Sequence, residues 1–229
     1  ILLLDDASSD RTAEIARQNQ VIRKEQITII KNEKNFGYGG NQKNGYNYAI
    51  ENGFDAVILL HGDGQYAPEK IEDILSPILY AGADCVLGSR MVNRKDALKG
   101  GMPLYKFLGN IFLTSFQNFV LGLKLGEFHT GYRAYNVSAL KQIPFNHNSD
   151  DFEFDTDIII QLADNKFKIV EVAVPTFYGD EISHVKVIKY GLMVLRSTIL
   201  SRLQKIGLVK LRKFDYQPLN SGDILKSPK

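Results

Sequence analysis

The chain has one cysteine, no tryptophan and four histidines in 229 residues. A lone thiol, Cys85 inside an apolar run, cannot build a disulfide framework, so a reducing compartment is the expected setting. One cysteine and four scattered histidines also exclude a zinc-binding pattern. No stretch approaches the roughly 18 uncharged residues of a membrane span, and the opening run Ile1–Leu4 is far too short for a signal peptide. Neither sign of charge dominates: the net charge of +2 makes no electrostatic case for nucleic acid, which is not expected as a partner. What remains is an ordinary globular composition, 44% hydrophobic and 24% charged, long enough for one domain with a real core and a terminal appendage.

The first half alternates apolar runs with helical patterns. Ile1–Leu4, Ile27–Ile30, Ala56–Leu60 and Asp84–Gly88 read as buried strands. Between them, Arg11–Arg23, Asn41–Asn52 and Pro68–Tyr80 read as helices, the last one kinked or shortened at Pro77. This spacing predicts parallel βαβ units in a sheet covered on both faces. Arg90–Met102, rich in Lys, Arg and Gly, reads as a mobile loop. Leu104, Phe107, Leu108, Ile111, Ser115 and Phe119 mark an amphipathic helix. Gly126–Asn136 is a loop leading into a short strand, Phe154–Asn165 a helix and Lys168–Val174 a strand. Val185–Ile206 is a long helix with a basic end, which either lies on an anionic membrane surface or packs on the sheet. Residues after Phe214 read as a loose tail.

Ligands of open α/β sheets sit beyond the carboxyl ends of the strands. Four segments there carry polar chemistry. In Asp5-Asp6-Ala7-Ser8-Ser9-Asp10, Ser9 or Asp10 caps a helix, but two adjacent acids at a strand end repel each other; an acid there can bind a nucleobase N–H or a ribose hydroxyl. Asn35-Phe36-Gly37-Tyr38-Gly39-Gly40 either cradles phosphate or lets a helix pack close to the sheet. His61-Gly62-Asp63-Gly64-Gln65 is a polar cluster after a wholly apolar strand. It is either a plain turn or an oxygen-rich site for Mg²⁺ or Mn²⁺ shared with substrate phosphates. Arg90 follows the fourth strand.

Taken in order, Asp5-Asp6-Ala7-Ser8-Ser9-Asp10-Arg11-Thr12, Asn35-Phe36-Gly37, His61-Gly62-Asp63-Gly64-Gln65 and Gly88-Ser89-Arg90 resemble family 2 glycosyltransferases, nearest the dolichol- or polyprenyl-phosphate sugar synthase branch. The likeness spans about Ile1–Val174. It implies a GT-A fold: an α/β, Rossmann-like, mixed and mostly parallel sheet flanked by helices. It also implies a first βα unit of about 30 to 40 residues upstream of this sequence. The catalytic domain is then 1–184, the amphipathic helix 185–213 and the tail 214–229.

The resemblance implies transfer of a sugar, with inversion, from a nucleoside-diphosphate sugar to an acceptor such as a polyprenyl phosphate, in glycan or cell-envelope synthesis. It places Leu4 and Asp6 against the nucleoside, with Asn35 and Gly37 beside it. His61, Gly62 and Asp63 fall on the diphosphate loop, with Asp63, Gln65 and His61 as metal ligands. His61 stands where the family has an acid. Arg90 falls on the diphosphate or the acceptor. Glu127-Phe128-His129-Thr130-Gly131-Tyr132-Arg133 resembles the acceptor loop, where Glu127 or His129 is the candidate base and Thr130 and Arg133 alternatively brace the loop. Glu153, or Asp155, falls near the sugar. Tyr178 and His184 fall where the family carries basic residues for phosphate, and Lys186 substitutes for them in that reading. The enzyme is expected to be cytoplasmic, held peripherally on the inner face of a membrane. A non-catalytic nucleotide-sugar-binding module and a nucleotidyltransferase remain open as alternatives.

Overall fold

A computed structural model describes residues 1–22, 27–176 and 187–216. The strands are β1 (Leu2–Asp5), β2 (Thr28–Lys31), β3 (Ala56–Leu59), β4 (Cys85–Ser89), β5 (Arg133–Asn136) and β6 (Ile169–Ala173). The helices are α1 (Thr12–Ile22), α2 (Gly37–Glu51), α3 (Ile71–Ala81), α4 (Arg94–Lys99), α5 (Leu104–Leu121), α6 (Val137–Leu140), α7 (Phe154–Asp164) and α8 (Val187–Lys205). β1 and β2 form a parallel pair, and a second, mixed sheet has the order β3-β5-β4-β6. In it β4 and β6 run parallel, while β5 lies antiparallel to both β3 and β4. β5 enters from far along the chain and separates β3 from β4.

Every residue of β4 is buried. Cys85 and Leu87 face one layer, with Tyr46 of α2 and Phe154, Ile158 and Ile159 of α7. Val86 faces the other, with Ile74 and Ile78 of α3. The period of two along β4 thus feeds two cores, which is why the strand is apolar throughout. Burial pushes the Cys85 thiol up to about 12, so it is an inert core group.

Four local expectations change. α2 begins at Gly37, not Asn41, so Gly37–Gly40 form a helical first turn. A Cβ on Gly39 would lie 2.4 Å from the carbonyl oxygen of Ser149 and 2.7 Å from Cβ of Phe154, so these glycines serve close packing. α3 runs through Pro77 to Ala81 and ends at Gly82, φ +62°. The stretch expected as a mobile loop contains α4, whose buried Ala97 packs with Met91 and Met102. Beyond α8, Phe214 is buried and the Tyr216 hydroxyl donates to Asp164 Oδ2 at 3.1 Å, so the chain is still packed where a loose tail was expected.

α5 departs furthest from its periodicity. It buries Asn110, Leu113, Thr114 and Gln117 and exposes Leu104, Leu108, Phe112 and Phe119. Among the described residues no helix is long and apolar enough to cross a membrane.

Candidate active site

The carboxyl ends of β1, β3 and β4 open on one cavity of about 1440 Å³ that also takes in the space between β1 and β3. Leu4, Asp6, His61, Gly62, Asp63, Gln65, Arg90 and His129, all singled out in the sequence, line it. So do Tyr38 of the glycine-rich segment and Gln42, Lys106, Asn110 and Tyr190, which carry no motif signal and arrive there through α2, α5 and α8. Asn35, Gly37, Glu127 and Glu153 are not among its lining residues. His184 and Lys186 lie outside the described residues, as does Tyr178.

Asp6 joins β1 to the start of α2. Its Oδ1 accepts from the Phe36 backbone N–H at 2.9 Å and from Asn32 Nδ2 at 2.8 Å, and its Oδ2 accepts from Gly37 N–H at 3.0 Å. A carboxylate from a distant strand thus caps α2 and moves its start into the glycine string. Asn35 Oδ1 also accepts from Gly37 N–H, at 2.9 Å. A Cβ on Gly37, where φ is +81°, would sit 2.7 Å from the carbonyl oxygen of Asp150. Asn35 and Gly37 thus shape the helix start behind Asp6 and are not among the residues that line the cavity.

The loop after β3 divides in two. Asp63 is exposed, and its Oδ1 accepts from Gln65 N–H at 3.1 Å, closing a tight turn with Gly64 at φ +76°. His61 is held inward, with Nε2 3.2 Å from the Tyr38 hydroxyl and its ring against Gly131. Burial lowers its pKa, opposed by Asp155 and then Asp63, so the ring is neutral at pH 7. Tyr38 donates onward to Asp155 Oδ2 at 2.9 Å, and Gln42 Nε2 donates to Asp155 Oδ1 at 3.3 Å. Of the two acids offered for the sugar edge, Asp155 lines the cavity. Glu153 instead accepts from Lys213 Nζ at 3.0 Å and is not among the lining residues.

At the far end Arg90 is clamped. Glu127 is wholly buried, and its carboxylate pairs with the Arg90 guanidinium. The same carboxylate accepts from Arg90 N–H at 2.7 Å and from Asn110 Nδ2 at 2.8 Å. Arg90 Nη2 also donates to the His129 carbonyl at 3.0 Å. Burial alone would raise the Glu127 pKa, but Arg90 and these hydrogen bonds outweigh it and lower it, so the group is a fixed anion. Behind it, Glu171 accepts from the Gly126 and Glu127 N–H groups at 2.6 and 2.9 Å and anchors the loop.

His129 is partly exposed as a residue, yet its Nε2 is sealed from solvent and has no partner among the described residues. Its Nδ1 lies 2.9 Å from the Tyr190 hydroxyl. Burial takes its pKa down to about 3. Arg133 is fully buried and donates to the backbone carbonyls of Phe128 at 2.8 Å and Asp155 at 3.0 Å, while Thr130 Oγ1 donates to the Gly88 carbonyl at 2.7 Å. These two brace the loop. Lys106 has its pKa lowered by partial burial and then by Arg90, so two cations stand close together at this end of the cavity.

Among the described residues no three His, Cys, Asp or Glu side chains converge as a ready metal cage. The donor set is one exposed carboxylate, one amide and a neutral imidazole already engaged by Tyr38. That set suits a hard cation held jointly with substrate phosphates, and it does not suit a cation held by protein alone.

The strand ends of a mixed sheet thus open on a largely apolar cavity, with Asp6, Asp63 and Asp155 on one side and Arg90 and Lys106 on the other. Solved structures share the fold. Mannosyl-3-phosphoglycerate synthase from Rubrobacter xylanophilus superposes with a TM-score of 0.64 at 17% identity, over 99% of this chain and 69% of that one. Glucosyl-3-phosphoglycerate synthase from Mycobacterium tuberculosis, in complex with Mn²⁺, uridine-diphosphate-glucose and phosphoglyceric acid, gives 0.59 at 17% identity, over 91% of this chain and 69% of that one. In sequence, residues 1–144 match the model of glycosyl transferase family 2. The UDP-N-acetylglucosamine–dolichyl-phosphate N-acetylglucosaminyltransferase of Methanococcus voltae is 33% identical over 192 residues, 79% of this chain and 75% of the relative. The chain belongs to glycosyl transferase family 2.

Proposed function

We propose that this glycosyltransferase moves a sugar from a nucleoside-diphosphate sugar to a polyprenyl phosphate, with inversion at the anomeric carbon. One observation carries the acceptor class. Both candidate bases of the acceptor loop are poorly placed to take a proton. Glu127 is locked as the partner of Arg90. His129 has one ring nitrogen at the Tyr190 hydroxyl and the other sealed from solvent, where burial lowers its pKa to about 3 and leaves it a weak base. A hydroxyl acceptor needs a base to remove its proton. A phosphate monoester is already ionised at neutral pH and attacks without one. The neighbouring cations Arg90 and Lys106 suit such an anion. The methanococcal relative, whose name gives dolichyl phosphate as its acceptor, supports the same reading.

In this mechanism Asp6 and Leu4 lie against the nucleoside, and Gly62 leaves the diphosphate room to approach the loop backbone. Asp63 and Gln65 would hold a Mg²⁺ or Mn²⁺, with His61 walling the site beside them. When bound, the cation offsets the charge of the leaving diphosphate. An oxygen of the acceptor phosphate attacks the anomeric carbon from the face opposite the leaving group. The carbon–oxygen bond to the diphosphate breaks, and its electron pair leaves with the nucleoside diphosphate. Arg90 stabilises negative charge during the displacement, and Glu127 is a positioning residue that holds Arg90 in its rotamer. Asp155, fixed by Tyr38, Gln42 and Arg133, orients the sugar.

A panel of labelled nucleotide sugars, offered with polyprenyl phosphate and with the matching polyprenol, tests the reading. We expect transfer to the phosphate alone, with an inverted anomer in the product. Transfer to the alcohol, or a retained anomer, would overturn it. A thermal-shift screen of the same donors with and without Mn²⁺ reads the metal separately: stabilisation that ignores Mn²⁺ removes Asp63 from that role.

A further inference from the structure

α5 turns an apolar stripe outward. Toward the protein it buries Asn110, Thr114 and Gln117 beside Leu113, with Phe107 and Ile111 against the Met91–Met102 cluster; toward solvent it presents Leu104, Leu108, Phe112 and Phe119, spaced to form one stripe. The exposures are large, 62% at Phe112 and 88% at Phe119, so these rings do not lie in a shallow groove. α8 packs along α5, with Leu113 facing Gly191. It repeats the pattern: Ser197, Thr198 and Ser201 are buried while Ile188, Leu192 and Ile199 are exposed. Just beyond it Ile206 and Leu208 are each 70% exposed. Isolated surface apolar residues need no explanation, but stripes on two adjacent helices that both bury their hydroxyl and amide groups do.

Charge selects the partner. The sequences of α5 and α8 contain no Asp or Glu, and α8 carries Lys189, Arg196, Arg202 and Lys205. Lys210 follows, exposed. Lys189 pairs with Asp151, and Arg202 and Lys205 pair with Asp164, which leaves the exposed Arg196 and Lys210 as the cations beside the apolar stripes. Stripes bordered by such cations, on helices with no acid of their own, match the interface of an anionic bilayer, where the rings enter the acyl boundary and the cations meet lipid phosphates. The same helices line the cavity with other residues, Lys106, Asn110 and Leu113 on α5 and Tyr190 on α8. We infer that the α5–α8 face, continued by Ile206 and Leu208, is a docking surface for an anionic lipid bilayer, and that it seats the cavity beside the membrane. This inference deepens the acceptor reading above. The binding itself needs no acceptor, so the two can fail separately.

The test is co-sedimentation of the full chain with phosphatidylcholine vesicles, with and without phosphatidylglycerol and free of polyprenyl phosphate. Binding should require phosphatidylglycerol and weaken as salt is raised. F112E/F119E should reduce the partition coefficient by about tenfold or more, and R196E should reduce it less. All three substituted side chains are exposed, so thermal melts should match the parent protein. Transfer to a short-chain, water-soluble prenyl phosphate should be unchanged in F112E/F119E, while transfer to acceptor in vesicles falls. Absence of binding to anionic vesicles, or binding that F112E/F119E leaves intact, overturns the inference. So does a dimer that F112E/F119E disperses in the absence of vesicle binding, because a second copy would then cover the face. Vesicle binding without transfer to any prenyl phosphate would sustain the docking surface and sink the acceptor reading instead.

Discussion

His129 sits in the acceptor loop as an uncharged ring whose Nε2 no solvent reaches. Its ordinary pKa is about 6.5, the value it recovers on unfolding, against about 3 in the folded protein. Between those values the unfolded chain binds a proton that the folded one does not, so folding stability falls as pH drops below about 6.5. The loss should reach about 2 kcal/mol by pH 5. His129→Gln should flatten that region of the profile, as thermal melts across pH 5 to 8 would show. Glu127 offers a different test, because its proposed task is to hold Arg90. Glu127→Gln keeps the shape and removes the charge, and kcat should fall by about a hundredfold or more with little change in donor binding. A bell-shaped pH profile lost in this variant would point to a base instead. At this scale the motifs were legible: Asp6, His61, Asp63, Gln65 and Arg90 all reach one cavity. Which acid of Glu153 and Asp155 enters it was not. Asp155 is held there by Tyr38 and Gln42, which come from a helix more than a hundred residues earlier.

Among the elements, the strands were readable because buried strands are apolar runs, and β4 is one. The order β3-β5-β4 was not, since nothing local in Arg133–Asn136 says that it will insert between strands formed much earlier in the chain. α4 was missed because its Lys- and Gly-rich flanks mask a single buried alanine. α5 was legible as an amphipathic helix but its orientation was not: periodicity shows that a helix has two faces, not which medium each one meets. The C-terminal turn at Arg212–Phe214 supplies a firmer contact than its polar composition suggests. Lys213 Nζ donates to both oxygens of the wholly buried Asp157, at 2.8 and 2.9 Å, and to Glu153. Lys213→Met would leave Asp157 buried without its cation, and we expect a loss of about 3–5 kcal/mol by denaturant unfolding. The loss should shrink on acidification, because burial already raises the Asp157 pKa and a protonated carboxyl needs no cation.

Among the described residues the strands form two sheets, β1-β2 and β3-β5-β4-β6, and residues of β1 and β3 line one cavity. Among the described residues β1 pairs only with β2, and β3 pairs only with β5. Each therefore turns one edge of backbone amides toward the cavity. Those amides have a clock attached, since an unbonded amide beside solvent trades its hydrogen for deuterium at close to the free-chain rate. Alternate amides of Ala56–Leu59 should exchange within seconds while those of Cys85–Ser89 persist, as deuterium uptake of the two peptides would show. A donor held at the carboxyl ends of β1 and β3 should then slow uptake around Asp5–Asp6 and His61–Asp63 together, and two segments that share no hydrogen bond would report a single binding event.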